Sequence, residues 1–226
     1  MNEETMADTH FDRCRLVLIT PETEDDDHLL DSVRSALSGG DVASLILSPG
    51  ARHEKAFQTL AEKVVAIAQE KGVAVMIADD TRVAGRVGAD GVHLEDAKAT
   101  MAETMERFDG RLMFGAGGAK TRHEALELGE TQPDYVFFGR IGYDNKPDPH
   151  PRNLAMADWW ASMVAIPCVT MGGSMPQSAV AVAETGSDFV ALSTAVFSGP
   201  ESPGERVSTI NTMLDEKAPR FTEEVE

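Results

Sequence analysis

A few short stretches of this chain carry residues able to handle a phosphorylated ligand. Asp79 and Asp80 follow one apolar run, and His93, Glu95 and Asp96 close the next. Two such acidic pairs suit Mg2+, a hard cation that takes one or two carboxylates and fills its other positions with water and phosphate. Lys146 stands in a loop with Pro147, Pro149 and Pro151, where it can fold onto an anion. Gly172-Gly173 end the run 166–171, and Ser193-Thr194 end the run 188–192. Glycine lets backbone come close to a ligand, and N–H groups at the start of a helix attract anions. Each of these residues also has a plainer reading. Asp80 and Asp96 suit helix N-caps, His93 a hydrogen-bonded core position, and Lys146 a solvated loop. Gly117, in Gly115-Ala116-Gly117-Gly118, suits a close turn.

Placing these groups requires strands that end where they stand. Apolar runs at 15–20, 43–47, 74–77, 91–94, 112–115, 135–139, 166–171 and 188–192 read as strands. Helical spacing of apolar residues covers 27–37, 53–71, 79–87, 96–108, 121–128, 154–163, 176–185 and 204–214. Such alternation predicts a single-domain α/β protein, a (β/α)8 TIM barrel, over 12–216. A loose arm is expected over 1–11, a charged tail over 217–226, and a loop over 140–153 that covers the active-site face. In this fold reactive groups stand at the C-terminal ends of the strands, and the loops after strands seven and eight hold phosphate. An internal repeat supports a barrel of like pieces: 89–94, 133–138 and 187–192 each pair an Asp with the start of an apolar strand.

Composition narrows the function classes. Twenty Lys and Arg against 38 Asp and Glu give a net charge of -18, which argues against nucleic acid as a partner, since binding its phosphates wants a basic face. No apolar run approaches the roughly 20 residues of a membrane helix. The acidic, polar beginning is unlike a secretory signal, so a cytoplasmic setting is expected. Cys14 and Cys168 have no metal-ligand spacing and read as buried free thiols.

Taken together, the motifs resemble the thiamine phosphate synthase family and its relative, the thiazole tautomerase. The matching text is Ala78-Asp79-Asp80-Thr81, then 87–94, then Asp134-Tyr135-Val136-Phe137-Phe138-Gly139, then 166–173, then Ser193-Thr194-Ala195-Val196-Phe197. The resemblance implies a transferase joining hydroxymethylpyrimidine diphosphate to hydroxyethylthiazole phosphate. Diphosphate departs with the help of Mg2+, and the thiazole nitrogen captures the pyrimidine cation. It also implies roles: Asp80 and Asp96 as metal carboxylates, Lys146 on the diphosphate, and Gly172, Gly173, Ser193 and Thr194 around the thiazole phosphate. Asp79, His93 and Gly117 fall in the remaining pocket. The partners implied are small phosphorylated heterocycles, and a homodimer is compatible with such a barrel.

The chain departs from the family pattern where the second strand ends. Ile46, Ser48 and Gly50 replace a Gln-x-Arg-x-Lys pattern, which removes an amide and two positive charges. Gly117 replaces a serine, Asp79 an asparagine, and Gly118-Ala119-Lys120 covers the place of the tautomerase histidine. Arg52, Arg140 and Arg152 are the loop arginines able to restore charge. The departures leave two other readings: a paralogue that binds a small phosphate ester without transfer, or an isomerase using His93 or Lys146 as base.

Overall fold

The structure, a computed structural model, describes residues 12–23, 25–97, 101–108 and 110–221. Its strands are β1 (Arg15–Ile19), β2 (Ser44–Leu47), β3 (Ala74–Ala78), β4 (Gly91–Leu94), β5 (Met113–Ala116), β6 (Tyr135–Phe138), β7 (Cys168–Met171) and β8 (Phe189–Leu192). All pair in parallel, in sequence order, and β8 returns to β1, so the sheet closes as an eight-stranded barrel. The helices are α1 (Asp26–Ala36), α2 (Glu54–Gln69), α3 (Thr81–Val87), α4 (Met101–Phe108), α5 (Arg122–Gly129), α6 (Pro151–Ala161), α7 (Ser178–Ala183), α8 (Thr194–Phe197) and α9 (Pro203–Lys217). This is the (β/α)8 barrel that the alternation predicts.

Strand periodicity divides the core into two layers, because successive side chains point to opposite faces. In β1, Val17 and Ile19 face inward and pack with Ile46, Met76, Phe137, Val169 and Met171. Leu16 and Leu18 face outward and pack with helix residues such as Leu29, Val33 and Val64. Both faces are buried, which explains why the strands read as continuous apolar runs.

Elements differ from the sequence reading mainly at their ends. Helical spacing starts at 96, and the part of α4 within the described residues is Met101–Phe108. After β4 the chain is held to the β5 loop by an Ala97 N–H bond to the Gly117 carbonyl. Asp96 therefore sits in a turn, and residues 98–100 lie outside the described ones. The loop expected over 140–153 ends sooner, since Pro151 opens α6 with its φ already helical and His150 caps it. The arm at 1–11 and the tail residues 222–226 lie outside the described residues. Lys217 belongs to α9, and beyond it Arg220 bridges to Arg13 and the Phe221 N–H reaches the Asp12 carbonyl. No helix among the described residues is long and apolar enough to cross a membrane.

The internal repeat has a structural cause at the N-terminal end of the barrel. Asp90, Asp134 and Asp188 each precede an even-numbered strand. Their carboxylates accept an N–H from the first or second residue of the odd-numbered strand before it: Val75 at 2.8 Å, Phe114 at 2.6 Å and Cys168 at 2.8 Å. Burial raises the Asp188 carboxyl above its ordinary range. Both cysteines are buried free thiols, and desolvation pushes Cys168 up to about 11 and Cys14 further still.

Gly115 has a different role from a turn. It lies within β5, in register with His93 on one side and Tyr135 on the other. A Cβ here would overlap the Tyr135 ring, so the missing side chain is what admits that ring to the interior. We expect Gly115→Ala to destabilise the fold by about 1–3 kcal/mol through overpacking. A thermal melt should show this as a loss of about 2–4 °C per kcal/mol, and an unchanged melting temperature would sink the packing account.

Candidate active site

Barrel geometry gathers most of the candidate groups at the C-terminal ends of the strands. There a cavity of about 1010 Å³ opens, and Glu95, Asp96, Lys120, Arg140, Lys146 and Gly172 are among its lining residues. Asp96, Lys146 and Gly172 thus line one cavity. Asp79, Asp80, His93, Gly117, Gly173, Ser193 and Thr194 are not among the lining residues.

Asp79 and His93 act on the cavity through Glu95. Asp79 adopts φ 55°, left-handed backbone that is uncommon outside glycine and enriched in Asp and Asn. Its carboxylate accepts the Glu95 N–H at 2.9 Å, tying the end of β3 to the turn after β4. His93 is fully buried, with Nδ1 3.0 Å from the Tyr135 hydroxyl and Nε2 3.3 Å from Glu95 Oε1. Burial, with Asp134 and Glu95 nearby, raises the Tyr135 phenol and keeps its proton in place. That hydroxyl donates to Nδ1, and the ring then donates from Nε2 to the Glu95 carboxylate. The rings of His93 and Tyr135 lie parallel, 5.8 Å apart, across the space left by Gly115. Glu95 also accepts the Ile141 N–H at 3.3 Å, so its carboxylate fixes the first turn of the loop after β6.

Asp80 is the N-cap of α3. Its Oδ1 accepts the N–H groups of Arg82 at 3.0 Å and Val83 at 2.9 Å, and Oδ2 takes neither bond. The plainer reading of this residue therefore holds for one oxygen. Among the described residues no three His, Cys, Asp or Glu side chains gather into a metal cage.

The loop after β6 is strapped across the ends of β7 and β8. The Lys146 carbonyl accepts the Ser174 N–H at 2.7 Å, and the Pro147 carbonyl accepts that of Met175 at 3.4 Å. A Cβ on Gly173 would overlap the Pro147 carbonyl, so glycine here lets two loops touch. Asp144, a buried carboxylate, accepts the Thr194 N–H at 2.6 Å. Gly172 N–H goes to the Ala191 carbonyl at 2.9 Å. Several donors of the expected phosphate cradle thus have partners within the chain.

The β2 side of the mouth carries no charge into the cavity. Ile46 packs inside the barrel, and Ser48 donates its N–H to the Thr20 hydroxyl. Arg52, one of the three loop arginines, is bound to the Asp26 carboxylate at 2.7 Å and to the Thr23 carbonyl. Arg140 and Arg152 line the cavity.

With this geometry in place, comparison with known proteins is informative. The sequence model of the thiamine monophosphate synthase family matches residues 16–196. The chain belongs to that family. A thiamine-phosphate synthase from Hyphomonas neptunium is 35% identical over 214 residues, covering 91% of this chain and 96% of the relative. One from Erythrobacter litoralis is 37% identical over 153 residues, covering 66% of this chain and 71% of that one. Among solved structures, a thiamine phosphate pyrophosphorylase from Pyrococcus furiosus superposes with a TM-score of 0.74 at 23% identity, covering 91% of this chain and 97% of that chain. At that identity the structural likeness speaks for the fold, and the family assignment rests on the sequence matches.

Sequence reasoning passed over Asp144 and Tyr135. Tyr135 reads simply as a strand residue, yet its register opposite a glycine signals an inward ring. Asp144 pairs with a residue 50 positions away and leaves no local signal.

Proposed function

We propose that this chain is a thiamine-phosphate synthase, joining hydroxymethylpyrimidine diphosphate to hydroxyethylthiazole phosphate with release of diphosphate. The supporting observation is a single cavity at the C-terminal face that holds Asp96 and Lys146 together in a chain of this family. Such a reaction needs charge stabilisation on the departing group more than proton transfer. The reacting bond is C–O between the pyrimidine methylene and diphosphate; its electron pair leaves with diphosphate, and the thiazole nitrogen lone pair forms the new C–N bond.

Mg2+ fits the donors present. Asp96 and Glu95 bring hard oxygens to the cavity wall, and phosphate and water complete such sites; Asp80, outside the lining, keeps one carboxylate oxygen free of its cap. When bound, the metal supplies Lewis acidity to the departing diphosphate. Lys146 presents its ammonium to the same group. His93 and Asp79 hold the Glu95 turn in position without touching substrate. The thiazole phosphate is assigned to Gly172, Gly173, Ser193 and Thr194, where its oxygens take the acceptor role that Asp144 fills at Thr194. A cytoplasmic setting goes with this reading.

The test is incubation of the protein with both precursors and Mg2+, with thiamine phosphate read by mass. Product that is lost in Asp96→Ala supports the reading. Absence of product, alongside a positive control from a known synthase, would overturn it.

A further inference from the structure

In a chain with 20 Lys and Arg against 38 Asp and Glu, a cation should readily find a carboxylate. Arg13, Arg15, Arg34, Arg52, Arg82, Arg86, Arg206 and Arg220 all do. Of the cations that take part in no ion pair among the described residues, which include Lys55, Lys63, Lys71, Arg107, Arg111, Arg122 and Lys217, four line the cavity at the C-terminal face: Lys120, Arg140, Lys146 and Arg152. Arg152 stands in the first turn of α6, where the helix dipole disfavours a cation. All four are solvent-exposed and lie around one cavity, so their charge is available to an anionic ligand.

The backbone beneath these cations is anchored. Arg140 precedes Ile141, whose N–H is held by Glu95, and its guanidinium carbon lies 4.5 Å from the centre of the Tyr143 ring. Stacking holds the planar fork while leaving its N–H groups for a ligand. The N–H of Lys120 is held by Glu124 at 2.7 Å, and the Lys146 carbonyl by Ser174 at 2.7 Å. Preorganised donors lose little on binding. Glu95 and Asp96 line the same cavity next to these loops, and a phosphate would avoid their carboxylates unless a divalent cation lay between.

We propose that Lys120 and Arg140, from the loops after β5 and β6, form with Lys146 a cationic clamp for the diphosphate of the pyrimidine substrate, taking over the role absent from the end of β2. This inference rests on the synthase reading for its substrate, though not for its anion. Lys120 and Arg140 are binding residues that set affinity for the diphosphate half of the reaction.

The probe is inorganic diphosphate with Mg2+, titrated by calorimetry into the full chain and into Lys120→Ala, Arg140→Ala, Arg140→Lys and the double alanine variant. Each alanine change should weaken binding about 10-fold or more, and Arg140→Lys should recover only part of the loss. The KM for the pyrimidine diphosphate should rise in parallel, while affinity for the thiazole phosphate stays the same. Arg122→Ala, which removes a guanidinium stacked on Trp159 away from the cavity, should change nothing. Melting temperatures identify any variant that loses affinity through misfolding. Unchanged diphosphate affinity in the folded double variant overturns the clamp, as does failure of the parent chain to bind diphosphate. Affinity lost in the variants of a chain that forms no thiamine phosphate would retain the clamp and reject the synthase reading. Product formed with an unaltered KM in the variants would do the reverse.

Discussion

Lys146→Ala should lower kcat/KM for thiamine phosphate formation by about 10²–10³-fold, the usual effect of removing one preorganised charge-stabilising donor. Lys146 is exposed and takes part in none of the ion pairs among the described residues, so truncating its side chain removes no structural contact. Its carbonyl bond to Ser174 belongs to the backbone and survives the substitution. The melting temperature should therefore shift by no more than about 1–2 °C. Because negative charge grows on diphosphate as the C–O bond breaks, the loss should appear mainly in kcat. Lys146→Arg keeps the charge and should restore part of the rate. Steady-state kinetics on the three proteins decide the matter. A rate unchanged in the alanine variant would remove Lys146 from the reaction and leave Arg140 as the leading cation.

Asp144→Ala should give the largest stability loss of any loop substitution. The carboxylate is only 5% exposed and receives the Thr194 N–H at 2.6 Å, a charge-assisted bond that joins the β6 loop to the start of α8. Truncation strands a donor in a partly buried position, at a cost of about 1.5–3 kcal/mol. For a domain of this size that corresponds to a fall of about 3–12 °C in melting temperature. Residues 142–150 should become sensitive to limited proteolysis, since the strap would be left with its Ser174 and Met175 contacts and the Glu95 bond at Ile141. Asp144→Asn retains an acceptor oxygen and should recover most of the loss. If the alanine variant melts with the parent and resists protease equally, Asp144 is not the latch.

The barrel is legible in the sequence because each strand is short, apolar and bounded by turn residues, and each helix carries its own spacing. The site is legible only where its residues act locally. Asp80 announces its cap through the Thr81-Arg82-Val83 that follows it, and the pocket residues Asp96, Lys146 and Gly172 follow from their places after strands. Arg52 shows the limit. In sequence it is as good a loop arginine as Arg140, but its guanidinium is committed to Asp26 on another element. Nothing near Arg52 reveals that partner. Glu95 reads as half of an acidic pair, while its bonds to His93, Asp79 and Ile141 arise from three separate segments. Tertiary partners of charged residues are what a one-dimensional reading lacks.

The aspartates below the barrel also bear on how the ring is divided. Asp90, Asp134 and Asp188 close the strand pairs β3–β4, β5–β6 and β7–β8, each by binding a residue no more than 20 positions away. The remaining pair, β1–β2, is closed by Asp41 gripping the Arg15 guanidinium at 2.6 and 2.9 Å. The molecule is thus four quarters, each carrying its own fastening. Its seam is where Asp12 and Phe221 meet. Joining the chain there and opening it between any two quarters would sever none of the four fastenings. The order in which the quarters are written is, in this respect, independent of the ring they build.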